Sequence, residues 1–158
     1  MKRRVLIFWL LATTFGSAAC GKKSGVAASE PLRNTYETEA DWNDPQRVIL
    51  LSYEQAQGKR VFYEQCVWCH ADVTPAGPSN RSNLTPTPPL FNDGTVLNGE
   101  SDEFLENIIT LGGNAMGKSA MMPPYGKSLK PEEIHSLVAY ARAIAVPSYE
   151  PPARPSAK

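Results

Sequence analysis

Five consecutive residues decide how this sequence is interpreted: Cys66-Val67-Trp68-Cys69-His70. Two cysteines three positions apart lie on one side of a helical turn, so both thiols can reach the same bound group. The histidine follows directly and can place an imidazole nitrogen beside that group. C-x-x-C-H is the pattern that attaches haem covalently, with Cys66 and Cys69 forming thioethers and His70 binding the iron.

Other chemistries of a C-x-x-C pair fit this sequence less well than haem attachment does. A thiol redox motif is expected near a βαβ pattern, which the sequence lacks. A structural zinc site needs four ligands, and outside the pentapeptide the chain offers only Cys20 and His135. The export signal described next argues against a chance occurrence of this five-residue motif, because haem is attached outside the cytoplasm.

The N-terminus has the composition of a secretory signal peptide over residues 1–19. Lys2, Arg3 and Arg4 precede a short apolar run, and small residues follow. The run is too short for a good membrane span. Ser17-Ala18-Ala19-Cys20 resembles a bacterial lipobox, although Ser17 departs from the aliphatic residue usual there. We expect Cys20 to carry lipid, and the alternative is ordinary cleavage near Ala19 that leaves a free thiol.

Composition divides the rest of the chain into three parts. Composition predicts a flexible tether over residues 20–47, the folded domain over residues 48–146, and a proline-rich disordered tail over residues 147–158. The full chain has 16 basic and 16 acidic residues, so losing the leader leaves a small acidic excess. Nothing in this balance suggests a nucleic-acid partner.

Helical periodicity appears in three segments of the domain, and no segment shows convincing strand alternation. Residues 52–69, 101–111 and 131–145 are predicted as helices, begun by Ser52, Ser101 and Pro131. We therefore expect an all-α fold, with three or more helices wrapped around a covalently bound haem. Gly58 in the first helix suggests close contact with another helix. The proline-rich stretch 71–98 is long for a loop without secondary structure in a compact domain. Packing against a bound haem would explain how it is ordered.

A methionine is the expected sixth ligand of the iron. Met121 and Met122 precede Pro123 in a loop before the last helix, and Met116 lies nearby. A histidine and methionine pair gives a higher reduction potential than two histidines. The residues alone do not separate these methionines, each of which could also fill the core.

Taken in order, these features resemble a class I cytochrome c over roughly residues 51–145. The family's methionine ligand commonly stands in M-P-x-[FY]-G, which matches Met122-Pro123-Pro124-Tyr125-Gly126, so the resemblance favours Met122 over Met121. It also implies that a loop proline carbonyl accepts a hydrogen bond from His70, with Pro78, Pro88 and Pro89 as candidates. Packing of the first and last helices is expected to involve Gly58, Phe62 and Tyr140.

The resemblance implies electron transfer rather than enzymatic catalysis. We expect a monohaem carrier on the periplasmic side of a bacterial membrane, moving single electrons between a protein donor and a protein acceptor through a six-coordinate iron. The alternative is a fixed haem subunit of a larger respiratory or dehydrogenase complex, and a haem enzyme or sensor is disfavoured by the Met-Pro loop. His135 is interpreted as a solvated surface residue, and Trp68 as a packing residue.

Overall fold

The computed structural model describes residues 36–152 of the chain. The signal peptide and Cys20 lie outside these residues. The helices are α1 (Tyr53–Val61), α2 (Val67–His70), α3 (Gly94–Leu97), α4 (Asp102–Leu111) and α5 (Pro131–Ile144). The strands are β1 (Glu37–Ala40), β2 (Val48–Leu51), β3 (Val73–Thr74) and β4 (Gly77–Pro78). Short 3₁₀ turns occupy Arg81–Asn83 and Asn114–Met116.

The first predicted helix is present as one rod that runs from α1 into α2. A capping box starts it: the Ser52 hydroxyl accepts from the Gln55 N–H at 3.3 Å, and the Gln55 side chain accepts from the Ser52 N–H at 2.9 Å. Between the two α-helical parts, Phe62–Cys66 forms a π-helical turn. Such turns interrupt the regular side-chain register and are frequent at functional sites. Here the turn ends at the first cysteine of the motif.

Helices α1 and α5 cross closely at Gly58. A Cβ built on Gly58 would overlap the Ser136 carbonyl oxygen and would lie 2.8 Å from the Tyr140 Cβ. Phe62 and Tyr140 are fully buried beside this crossing, with ring centroids 5.8 Å apart. Glycine therefore allows the two backbones to touch, as the sequence led us to expect.

The other two predicted helices begin and end for local reasons. The Ser101 hydroxyl accepts from the Phe104 N–H at 3.1 Å and caps α4, which ends at Gly112 with a φ of 81°. Helix α5 lacks a Ser or Thr cap, yet the Glu133 carboxylate accepts from the Lys130 N–H at 3.0 Å. That bond and Pro131 in the first turn are sufficient to start the helix where predicted.

The expectation of an all-α fold needs correction, because the described residues include two small antiparallel strand pairs. In the larger pair, Glu37 faces Leu51 and Ala40 faces Val48. Leu51 is fully buried, so this hairpin contributes to the core. Strand β1 lies in the segment predicted as a tether. The hairpin could not be predicted from the sequence because β2 is uniformly apolar and β1 is mostly polar. Neither strand therefore shows alternation of apolar and polar residues.

The chain that follows α5 also makes defined contacts. The Val146 N–H donates to the Asn92 carbonyl at 2.8 Å, and the Gly94 N–H donates to the Val146 carbonyl at 3.0 Å. The Asn98 amide donates to the Pro147 carbonyl at 2.9 Å. The start of the predicted tail thus lies against α3. Among residues 36–152, no helix has the length and apolarity required to cross a bilayer.

Candidate haem site

Cys66, Cys69 and His70 lie together on the last turns of the first helical rod. Cys66 closes the π-helical turn and Cys69 and His70 belong to α2. Both thiols are unpaired and partly buried. Burial, with a smaller repulsion from the Cys69 sulfur, raises the pKa of the Cys66 thiol to about 12. This thiol is therefore neutral at pH 7, and conversion to an equally neutral thioether suits the apolar surroundings.

The His70 ring is held by a single backbone contact. Its Nδ1 lies 2.9 Å from the Pro89 carbonyl oxygen, an acceptor that requires the proton on Nδ1. Of the three candidate prolines, Pro89 is the one that makes this contact. Burial lowers the pKa of His70, and the neighbouring Arg81 charge adds to the effect, while the Pro89 bond opposes it. The lowered pKa favours the neutral ring at pH 7, in which Nδ1 carries the proton and the lone pair of Nε2 is available as a ligand.

The proline-rich loop after the motif is organised by contacts with α2 and with itself. The Phe91 N–H donates to the His70 carbonyl at 2.9 Å, and the Asn80 N–H donates to the Trp68 carbonyl at 3.0 Å. Arg81 donates from Nε to the Pro88 carbonyl at 2.8 Å and pairs with Asp72 at 2.9 Å. These bonds position the backbone immediately before Pro89, so Arg81 supports the orientation of His70. Sequence analysis did not identify Arg81.

Met121 and Met122 occupy different environments. Met122 is partly buried and packs against the core, whereas Met121 is 60% exposed. Backbone bonds dock this loop on the C-terminal end of α4: Gly113 N–H to the Met122 carbonyl at 3.0 Å, and Tyr125 N–H to the Ile109 carbonyl at 2.9 Å. The loop is thereby fixed with the second methionine turned inward.

Two glycines make that docking possible. A Cβ on Gly112 would lie 2.8 Å from the Pro124 nitrogen, and a Cβ on Gly113 would overlap the Ser119 carbonyl oxygen. The sequence indicated only that these glycines end a helix. Their second role depends on a loop about ten residues away, which local patterns do not reveal.

Tyr125 joins the methionine loop to the cysteine-bearing rod. Its hydroxyl donates to the Gln65 carbonyl at 3.2 Å, next to Cys66. Burial raises the pKa of Tyr125, so the hydroxyl keeps the proton it donates. The tyrosine formed part of the quoted motif, but its contact was not foreseen.

An aromatic cluster fills the space behind the site. The ring of buried Phe62 lies 4.6 Å from Phe91 and 5.5 Å from Trp42, measured between centroids. Phe91 in turn lies edge-on to His70 at 6.2 Å. Neither Phe91 nor Trp42 was singled out in the sequence. The cluster gives the histidine an apolar wall.

The remaining candidates lie away from this arrangement. His135 is mostly exposed on α5 and pairs with Glu106 at 2.6 Å and with Glu54 at 3.4 Å, thus linking three helices. It behaves as the surface residue that was predicted. Trp68, between the cysteines, is 54% exposed, so it packs less than expected.

The arrangement fits haem c as a set of donors. Two thiols three residues apart, a neutral imidazole with a free Nε2 and an inward-facing thioether are the groups that such a macrocycle and its iron require. A backbone carbonyl that accepts from the other ring nitrogen of a ligand histidine, as Pro89 does here with support from Arg81, commonly orients metal ligands.

Comparison with known proteins identifies a matching family and a related protein. A family profile described as cytochrome C oxidase, cbb3-type, subunit III matches residues 54–140, more than half of the chain. The cbb3-type cytochrome c oxidase subunit FixP of Bradyrhizobium diazoefficiens is 26% identical over 92 residues, which cover 58% of this chain and 28% of FixP.

Two solved structures are also similar. The KustC0563 c-type cytochrome is 25% identical, with a TM-score of 0.42, over 56% of this chain and 96% of its own. A point mutant of Kustc0563 is 26% identical, with a TM-score of 0.43, over 56% and 98%. With the family profile spanning the rod, the histidine and the methionine loop, the chain belongs to the cbb3-type cytochrome c oxidase subunit III family of c-type cytochrome domains, which hold covalently attached haem c.

Proposed function

We propose that this protein carries single electrons between two protein partners through one haem c. The observation that carries the proposal is the pair of thiols beside a neutral imidazole whose Nδ1 is engaged by Pro89. When bound, haem c supplies an iron that alternates between Fe(II) and Fe(III). The residues of this chain attach it, orient its ligands and exclude water from its surroundings.

We assign Cys66 and Cys69 to the two thioethers that would attach the haem, and His70 as a residue that would bind its iron. Met122, in preference to Met121, would be the second residue to bind the iron, because its side chain packs inward and its loop is fixed on α4 and on the rod. With His70 and Met122 both bound to the iron, the protein would leave no position for a substrate. Electron transfer is therefore a better reading than catalysis at the iron.

Paired methionine variants test this assignment in the holoprotein. Met122→Ala should abolish the methionine-to-iron charge-transfer band of the oxidised form, and Met121→Ala, the matched control, should leave it intact. Loss of the band in Met121→Ala alone would overturn the ligand assignment. Carbon monoxide should leave the wild-type reduced spectrum unchanged, since a change would indicate an open position.

We further propose that the protein is exported and held on the periplasmic side of a bacterial membrane by lipid on Cys20. The support is the sequence of residues 1–20 alone. Cys20→Ser should move the protein from the detergent phase to the aqueous phase. Detergent partitioning that survives this substitution would contradict the anchor.

A fixed haem subunit of a respiratory complex is the second candidate. It is favoured by the family description and by FixP, which is an oxidase subunit. The chain spans only 28% of FixP, so this similarity does not show that the chain joins the same kind of complex. Stable co-purification of the tagged protein with a multi-subunit oxidase would favour the subunit, and a monomer released from it by salt would favour the carrier.

A further inference from the structure

The β1–β2 hairpin presents an apolar face to solvent. Strand alternation turns Ile49 and Leu51 toward the core and Val48 and Leu50 outward, where each is more than half exposed. Opposite them on β1 stand the two uncharged residues Thr38 and Ala40. We call the outward set the hairpin face, and it comprises Tyr36, Thr38, Ala40, Val48, Leu50 and Tyr53.

Two tyrosines complete the hairpin face at one end. The Tyr36 and Tyr53 rings meet edge-on with centroids 4.9 Å apart, and both are 61% exposed. The Tyr36 N–H donates to the Leu51 carbonyl, which fixes the start of the hairpin. Four large apolar side chains are thus exposed on this face, and grouped exposed apolar residues, unlike singly scattered ones, often mark interaction sites.

The charged residues of the two strands lie on the opposite side from the hairpin face. Glu37 and Glu39 alternate with the outward residues and both pair with Lys59 of α1, at 2.8 and 3.1 Å. The same Lys59 ammonium donates to the Thr38 carbonyl at 2.9 Å. Because strand alternation places both carboxylates on that side, the hairpin face contains no charged side chain.

We propose that the hairpin face rests on the lipid surface of the membrane to which Cys20 is attached. The proposal rests on the lipid anchor proposed above. Tyr36 lies 16 residues after Cys20, so the two are at most about 55 Å apart. The hairpin is also the first described element after Cys20. Tyrosine suits the interface because its ring is apolar and its hydroxyl remains hydrated.

A lipid surface fits this face better than a protein partner. Specific protein interfaces bury more than about 1,000 Å², with a closely packed centre. Two exposed side chains on a four-residue strand and two tyrosines beside the hairpin offer much less. A bilayer makes no such demand, because the anchor supplies the affinity and shallow contact of a few apolar side chains suffices to orient the domain. The hairpin face would then set the direction in which the haem domain faces its partners.

Photocrosslinking in native membranes tests this contact in the full chain. We would replace Leu50, and in a second variant Val48, by p-benzoylphenylalanine and irradiate membranes that contain the haem-loaded protein. Val96, which is also half exposed but lies on α3, is the matched control position. Haem content verifies that each variant folds, and mass spectrometry identifies the adducts.

The expected result is a phospholipid adduct at positions 50 and 48 at least fivefold more abundant than at 96. Adducts to a protein, to a second copy of the chain, or at the same level as position 96 would overturn the proposal. Cys20→Ser in the same background separates the two claims. If the wild-type chain partitions by its lipid but positions 50 and 48 give no lipid adduct, the anchor stands and the hairpin contact fails. If Cys20→Ser partitions unchanged, the anchor itself fails.

Discussion

Replacing Gly58 by alanine should destabilise the domain, although alanine is the better helix former. The added Cβ would overlap the Ser136 carbonyl oxygen and lie 2.8 Å from the Tyr140 Cβ. Both are fixed to α5, so a side-chain rotation cannot make room. The two helices would have to separate along the crossing that buries Phe62 and Tyr140.

The size of the effect follows from two opposing contributions. Glycine-to-alanine substitution in a helix interior stabilises by about 1 kcal/mol. Overpacking a close contact costs about 1–3 kcal/mol, and more where backbone must move. Because the overlap here is with backbone, we expect the upper end and a net loss of about 2 kcal/mol. For a domain of this size, the midpoint of thermal unfolding should fall by roughly 8–16 °C.

Guanidinium unfolding of the haem-loaded protein, followed by far-ultraviolet circular dichroism, measures this difference. Gly99→Ala is the matched control, since Gly99 is exposed and its Cβ would lie 3.8 Å from the Val96 carbonyl oxygen, an ordinary contact. We expect the control to stay within about 0.5 kcal/mol of wild type. If Gly58→Ala is as stable as the control or more stable, the reasoning from the helix crossing is refuted.

Three further variants probe side-chain contacts that join separate parts of the domain. Arg142→Gln should cost about 2–3 kcal/mol of unfolding free energy, because this nearly buried side chain donates to two backbone carbonyls before α4 at 2.6 Å. Arg60→Gln, at an exposed position, is the control. An equal loss of stability in the control would show that the carbonyl hydrogen bonds are not the cause. Tyr125→Phe removes the bond to the rod and should lower the thermal midpoint of the methionine charge-transfer band by a few degrees, more than the midpoint of helix unfolding. The Glu106 hydrogen bond raises the pKa of His135, so its stabilisation is complete below pH 6.5 and is lost as pH rises through the folded-state pKa. Comparison of wild type with His135→Gln at pH 6 and pH 9 should show a difference at the lower pH only, and below about 1 kcal/mol because the pair is exposed.

Motif and helix boundaries could be predicted because their causes are local. Ser52 and Ser101 each bond to an N–H three positions later, and Pro131 fixes its own φ. The cysteines and His70 of the pentapeptide are brought together by one helical rod. A short stretch of sequence contains all the groups involved in each case.

Other features needed the tertiary structure because their partners are distant along the chain. Among Pro78, Pro88 and Pro89 the sequence offered no choice, and the contact of His70 with Pro89 depends on how Arg81 and the α2 backbone fold the intervening loop. The hairpin was missed for the same reason. Whether β2 forms a strand depends on β1 and on the burial of Leu51, not on alternation within either segment.

The sequence by itself was sufficient to place the three main helices and to predict the haem-binding residues and an export signal, since each rests on neighbouring residues. Only the tertiary structure decided which proline holds His70, that Met122 faces inward while Met121 faces solvent, and that Gly112 and Gly113 seat the methionine loop. Those outcomes depend on which backbones approach one another across the fold. Close approach is a property of packing and leaves no local pattern in the chain.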